Sequence, residues 1–76
     1  MNKLSVNELP IGTRGTARLL MDIYTRQYLL RNGFKVKKYE LMIFMSAQTQ
    51  FGEMVVYPDD VLTYIGNKKW SISKDE

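Results

Sequence analysis

The fold depends on the structure of the stretch Pro58-Asp-Asp-Val-Leu-Thr-Tyr-Ile-Gly-Asn-Lys-Lys-Trp-Ser-Ile-Ser73. Two different structures are compatible with it. In the first structure Pro58 opens a helix, Gly66 ends it and Asn67 caps a second one, which makes a helix-turn-helix. In the second, residues 61–65 and 68–72 are strands that a Gly66-Asn67 turn joins into a β-hairpin. The function inferred for the chain depends on this choice.

Several residues favour the helix-turn-helix. Val61 and Ile65 form an apolar pair on the first helix, and Ile72 follows Gly66 at the spacing at which the second helix faces the core. Asp59 lies in a first turn, where the helix dipole favours an acid. The hairpin would instead pair Val61 with Ile72 and Thr63 with Trp70 across the two strands. We take the helix-turn-helix as the prediction and the hairpin as the alternative.

Two lysines suggest a ligand if the second helix exists. Lys68 and Lys69 would lie in its first turn, where a cation is unfavourable by up to about 1 kcal/mol unless an anion compensates for it. A phosphate group is the anion that a helix N-terminus usually meets. The pattern therefore predicts contact with a nucleic-acid backbone.

Composition limits the other classes of function. The chain has 76 residues, of which 45% are hydrophobic, and it contains neither Cys nor His. One small domain is expected, with more apolar surface than it can cover alone, so a homodimer or a larger protein partner is expected. The absence of Cys and His excludes disulfides and the usual zinc sites, so we expect no metal, no cofactor and a cytoplasmic location.

Charge and hydropathy add two expectations. The net charge of +3 is compatible with duplex DNA as a partner but does not require it. The longest apolar run, residues 41–45, is far shorter than the roughly 20 residues of a membrane-spanning helix. We therefore expect no membrane association.

The remaining segments are read from their periodicity. Residues 1–12 are predicted to be an extended N-terminal arm, and residues 13–76 a single helical domain. Residues 17–31 repeat apolar side chains at helical spacing, after a Thr13 or Thr16 cap, and Gly33 ends that helix. Residues 39–48 fit a helix or a doubly buried strand, and their propensities favour the helix. Residues 54–57 are predicted to form one short strand.

The predicted fold is therefore mainly α with a short β element, a small helix-turn-helix domain. The alternative is an α+β fold with one long helix packed on a β-hairpin or meander. The order of elements over residues 17–74 resembles the winged-helix regulators of the MarR and SarA group, in which an apolar helix containing Glu, here Glu40, precedes a short strand and the reading helices. The resemblance implies a transcriptional regulator that binds duplex DNA. It places Lys68, Lys69, Ser71, Ser73 and Lys74 in the groove, with Arg18 or Arg26 outside it.

Catalysis and protein binding are the two further classes of function. Catalysis is not expected, because without His or Cys the only adjacent acids are Asp59 and Asp60, which point to different sides of a helix or strand. The alternative to DNA binding is a small effector or inhibitor that docks on a larger regulator or enzyme. Its predicted interface consists of Met54, Tyr57, Tyr64 and Trp70.

Overall fold

The computed structural model describes residues 8–73, which form two small antiparallel sheets and two short helices. In chain order the elements are β1 (Arg14–Thr16), α1 (Ala17–Ile23), α2 (Arg26–Arg31), β2 (Phe34–Tyr39), β3 (Met42–Thr49), β4 (Gly52–Val56), β5 (Val61–Gly66) and β6 (Lys69–Ser73). The first sheet has the strand order β1-β5-β6 and the second β2-β3-β4. The fold is mostly β, so the predicted mainly α class is wrong.

The stretch that decides the fold is a hairpin. β5 and β6 pair antiparallel, which corrects the helix-turn-helix and the winged-helix-like class predicted for residues 58–74. The turn between them is Asn67-Lys68, with φ values of 55° and 60°, the positive angles that a two-residue hairpin turn of type I′ needs at both positions. The two lysines therefore occupy a turn and a strand start, and neither lies at a helix N-terminus where a phosphate would compensate its charge.

The register of this hairpin differs by one residue from the alternative interpretation. Leu62 lies opposite Ile72, and Tyr64 lies opposite Trp70. A one-residue slip moves every side chain of a strand to the other face of the sheet. The observed register places all four large apolar side chains on the face that packs on the core, and it leaves Thr63 opposite Ser71 on the other face.

The long helix predicted over residues 17–31 is two short helices. α1 ends at Tyr24 in extended backbone, and Thr25 begins α2 by accepting a hydrogen bond from the Tyr28 amide at 3.1 Å. Thr16 caps α1 in the same way, which confirms one of the two predicted caps. A threonine hydroxyl that satisfies an amide locally competes with a continuous helix, and this explains the break.

The helix predicted over residues 39–48 is wrong. Most of this segment belongs to β3, which pairs with β2 on one side and β4 on the other. Met45, Ala47 and Thr49 are buried at strand spacing on its inner face. Tertiary pairing thus outweighs the helical propensity of the individual residues. The short strand predicted at residues 54–57 is confirmed as part of β4, which ends at Val56.

The core lies between the inner faces of the two sheets and beneath the helices. Its largest buried side chain, Trp70, meets the Phe34 ring edge-on with centroids 5.8 Å apart and the Tyr64 ring at 4.9 Å. Buried Asn32 links three segments: its Oδ1 accepts from the Leu9 amide, its Nδ2 donates to a helix carbonyl, and its main-chain carbonyl accepts from the Trp70 indole. These bonds join β6 and the N-terminal segment to the end of α2.

The predicted N-terminal arm is described only in part, because residues 1–7 lie outside the described range. Of the rest, Leu9 is buried, and the Gly12 amide donates to the Tyr64 carbonyl at 2.8 Å. Between residues 8 and 73 no helix is long and apolar enough to cross a membrane.

Candidate functional site

The residues predicted to contact DNA do not lie on one helix. Lys68 is in the β5–β6 turn and Lys69 begins β6, while Ser71 and Ser73 follow on a single face of that strand. Lys74 lies outside the described residues. This arrangement contains no reading helix that could enter a major groove.

The two predicted arginines are on the helical side of the molecule. Arg18 in α1 forms a 3.3 Å ion pair with Asp59, and both side chains are largely exposed, so the pair contributes little stability. Arg26 is the first residue of α2 and is exposed. These arginines therefore lie on the helices and Lys68 and Lys69 on the β5–β6 hairpin, although Arg26 and Lys68 border two adjoining pockets that share Leu30 and Lys35.

The predicted protein interface is divided between core and surface. Tyr64 and Trp70 are buried in the core, where the Tyr64 hydroxyl accepts a 3.0 Å hydrogen bond from the Lys68 amide. Met54 and Tyr57 are exposed, on β4 and just after it. A surface that uses this part of the chain must therefore be built around the second sheet.

The second sheet carries most of the exposed apolar side chains. Within residues 8–73, thirteen large hydrophobic side chains are exposed, and nine of them lie between residues 39 and 57: Tyr39, Leu41, Met42, Ile43, Phe44, Phe51, Met54, Val55 and Tyr57. Large contiguous apolar patches are uncommon on monomeric proteins and mark interaction sites. The candidate functional site is therefore on this sheet.

One end of the sheet projects as a two-stranded ribbon. β4 pairs with β3 only over residues 45–49 of β3, so the first part of that strand, residues 42–44, pairs with β2 alone. We call residues 37–44 the hairpin arm. Its apolar side chains are between 49% and 97% exposed, with Leu41 at the tip the most exposed. Both faces of the ribbon are uncovered, because consecutive residues on β3 point to opposite sides.

The arm has an ordered aromatic cluster on one face. The rings of Tyr39 and Phe44 meet edge-on, with centroids 5.5 Å apart. Met42 lies directly opposite Tyr39 across the strands. The turn at the tip places Glu40 at φ 38°, in the left-handed region, and leaves Leu41 pointing into solvent. The arm thus presents a preformed apolar surface.

Charges border this surface on the β2 side. Lys37 and Lys38 are exposed on β2, and in residues 8–73 neither forms an ion pair. Farther along the strand Lys35 lies 3.7 Å from Glu53, which also accepts a 2.6 Å hydrogen bond from the Ser46 hydroxyl. The Ser46 hydrogen bond, followed by the charge of Lys35, lowers the pKa of Glu53 below its ordinary value. The sheet therefore has a basic border, and the charge of its one acid, Glu53, is paired with Lys35.

An apolar groove of about 390 Å³ lies on the inner side of the same sheet. Its walls come from the β3–β4 turn and β4 on one side, and from the β5–β6 hairpin on the other, with Phe51, Met54, Ile65 and Ile72 as the main apolar residues. The groove is open and borders the free edge of β4.

Side chains that could together hold a metal ion are not grouped in the described part of the chain. No three Asp, Glu, His or Cys residues are grouped there as a metal site would require. Every buried side-chain nitrogen or oxygen there has a hydrogen-bond partner. The surface is suited to binding through apolar contact.

The hairpin arm was not predicted from the sequence, although the apolar residues at its tip were a visible signal. The uninterrupted apolar run at residues 41–45 follows two lysines and does not alternate with polar residues. Read as a strand, it was expected to be buried on both faces, but only Met45 is buried.

Comparison with known proteins adds no further assignment: no family model, no curated protein and no solved structure matches the chain.

Proposed function

We propose that this chain is a small protein-binding module with no catalytic role, whose recognition surface is the hairpin arm. The observation that carries the proposal is the exposure of apolar side chains on both faces of a two-stranded ribbon at residues 39–44. Such a ribbon is marginally stable by itself, and its apolar side chains add no core packing. Their burial by a partner would supply the missing contacts.

The partner we propose is a larger protein with an apolar cleft bordered by acidic residues. Leu41, Met42 and Phe44 would enter the cleft, and each large apolar side chain that becomes fully buried contributes about 1.5–3 kcal/mol. Lys37 and Lys38 on the flanking strand would face the acidic border, where they increase the association rate and fix the orientation. We place this interaction in the cytoplasm, a reducing compartment with which a chain without Cys is compatible.

DNA binding is the less supported proposal. It depended on a reading helix at residues 58–74, and that segment is a hairpin. Fluorescence anisotropy with a labelled duplex over a salt series tests it directly. We expect no salt-dependent binding, because Lys68 and Lys69 lie in a hairpin and not on a helix that could enter the major groove.

Site-specific photocross-linking in the source cells tests the proposed surface. A photoreactive residue replaces Leu41 at the tip of the arm or, as a matched control, the similarly apolar and exposed Ile23 on α1. We expect one discrete adduct with another protein from position 41 and none from position 23. Charge reversal of Lys37 and Lys38 to Glu should reduce the adduct at least severalfold.

Three outcomes would contradict the proposal. They are equal adducts from both positions, no adduct from position 41, or an adduct that contains only two copies of this chain. Insensitivity of the adduct to the charge reversal would reject an acidic border on the partner.

A further inference from the structure

We infer that a second copy of this chain adds to the free edge of β4, so that two β2-β3-β4 sheets join into one six-stranded sheet. The interface is separate from the hairpin arm and does not rest on the function proposed above. Its basis is the chemistry of the four edge strands.

Natural sheets protect their edges with short strands, lysines or prolines. β1 has only three residues, β2 carries Lys35, Lys37 and Lys38, and β6 begins with Lys69. β4 consists of Gly-Glu-Met-Val-Val, with no Lys or Pro, and its one charged side chain, Glu53, is held by Ser46 and Lys35 of its own chain. It is therefore the edge that is open to another strand.

The hydrogen-bonding groups at this edge follow from the pairing of β3. The Gln48 amide donates to the Gly33 carbonyl at 2.9 Å on the β2 side, so Gln48 and Glu53 form a non-hydrogen-bonded pair between β3 and β4. By alternation, the backbone groups of Met54 point to β3, and those of Glu53 and Val55 point away from it. No other backbone group within residues 8–73 bonds to Glu53 or Val55. Each chain thus offers two amides and two carbonyls at the edge.

One register of two antiparallel β4 strands satisfies all these groups. With the twofold axis at Met54, Glu53 lies opposite Val55 of the second copy, and the reverse pair forms too, which gives four backbone hydrogen bonds. An axis at Glu53 would oppose two carboxylates. An axis at Val55 would oppose Glu53 to Tyr57, whose amide already donates to the Asp60 carboxylate at 2.9 Å. The Met54 register is therefore preferred.

The side chains complement this register. Met54, 43% exposed, lies on the twofold axis opposite Met54 of the second copy, on the face that carries the apolar groove lined by Phe51 and Met54. Val55, 59% exposed, lies on the other face, so the interface covers apolar side chains on both faces of the sheet. The β2 lysines remain at the outer edges, far from one another.

Sedimentation equilibrium of the full chain is the first test. We expect a concentration-dependent mass that approaches twice the 8.9 kDa of one chain. Val55→Pro removes the free-edge amide of Val55 and no bond to β3. It should weaken association by about 10- to 100-fold, because two hydrogen bonds are lost per dimer. Val55→Thr, which keeps the amide, should still dimerise.

Disulfide trapping tests the register and does not depend on the proline variant. The chain has no Cys, so a single cysteine can link only two copies. In the inferred register the Cα atoms of position 54 are about 4.5 Å apart, within disulfide range. Those of position 55 are more than about 7 Å apart, beyond that range. Under mild oxidation Met54→Cys should form a covalent dimer at least tenfold faster than Val55→Cys.

A monomeric mass at high concentration would overturn the inference, and a strand of another protein would then be the candidate that pairs with β4. So would a dimer that a folded Val55→Pro variant preserves, or equal trapping at positions 54 and 55. If Val55→Pro does not fold, the trapping ratio decides.

Discussion

The indole Nε1–H of Trp70 donates a 2.7 Å hydrogen bond to the main-chain carbonyl of Asn32, 38 residues earlier in the chain. Both residues are buried. The bond fixes β6 against the end of α2, where Gly33 begins the turn into β2. It connects the hairpin that decides the fold to the sheet that carries the candidate site.

Trp70→Phe should lower the free energy of unfolding by about 2–4 kcal/mol, because the variant loses this hydrogen bond and leaves a cavity in the core. Urea unfolding monitored by circular dichroism measures the change. Tyr39→Phe on the exposed arm is the control, and we expect it to change stability by less than about 0.5 kcal/mol. Equal changes in the free energy of unfolding would show that the buried indole contributes no more to stability than the exposed Tyr39 hydroxyl.

Gly33→Ala should destabilise the fold far more than Gly12→Ala. Both glycines have positive φ, 89° and 99°. A Cβ at position 33 would overlap the carbonyl oxygen of Lys68 and lie 2.8 Å from its carbonyl carbon, whereas a Cβ at position 12 meets nothing within 4 Å. We expect a loss above about 3 kcal/mol at position 33 and about 1 kcal/mol at position 12, where only backbone strain contributes. Thermal denaturation compares them, and similar losses would contradict the close approach of the two turns.

Ser46→Ala should raise the pKa of Glu53 toward its ordinary value, because the Ser46 hydrogen bond is the main cause of its lowering. Lys35→Ala should raise that pKa too, because both the charge of Lys35 and its hydrogen bond lower it. Because the folded-state pKa is lowered, the stabilisation by Glu53 is present above its unfolded pKa and is lost as pH falls through the folded pKa. An NMR titration of the Glu53 carboxyl carbon in each variant measures the shifts. An unchanged Glu53 pKa in Ser46→Ala would contradict the assigned main cause.

Leu41→Lys should leave the free energy of unfolding within about 0.5 kcal/mol of the unchanged chain, because this side chain is 97% exposed and packs on no core residue. The same substitution should abolish the cross-link expected from a photoreactive residue placed instead at the neighbouring position 42. Leu29→Lys, at a fully buried position on α2, is the contrasting variant and should prevent folding. A marked loss of stability in Leu41→Lys would show that the arm packs on the body.

Several features could be predicted from residues alone because their causes are local. The Thr16 cap, the turn at Gly33 and the short strand at residues 54–56 depend on hydroxyl chemistry, on backbone freedom and on β propensity within a few residues. The exclusion of disulfides and cysteine-based metal sites follows from composition. The surplus of apolar side chains was also visible in composition, but the position of that surplus was not.

The tertiary structure decided the choice between helix and strand. Val61–Ile65 and residues 39–48 fit both periods, and their helical propensities differ from strand propensities by less than the energy of pairing with a neighbouring strand. For the candidate site, exposure of Leu41 and Phe44 depends on β4 being shorter than β3, so that nothing covers the end of the ribbon. The sequence by itself determined the local caps and turns and the amount of apolar surface. Only the pairing of distant strands determined which of that surface is core and which faces solvent.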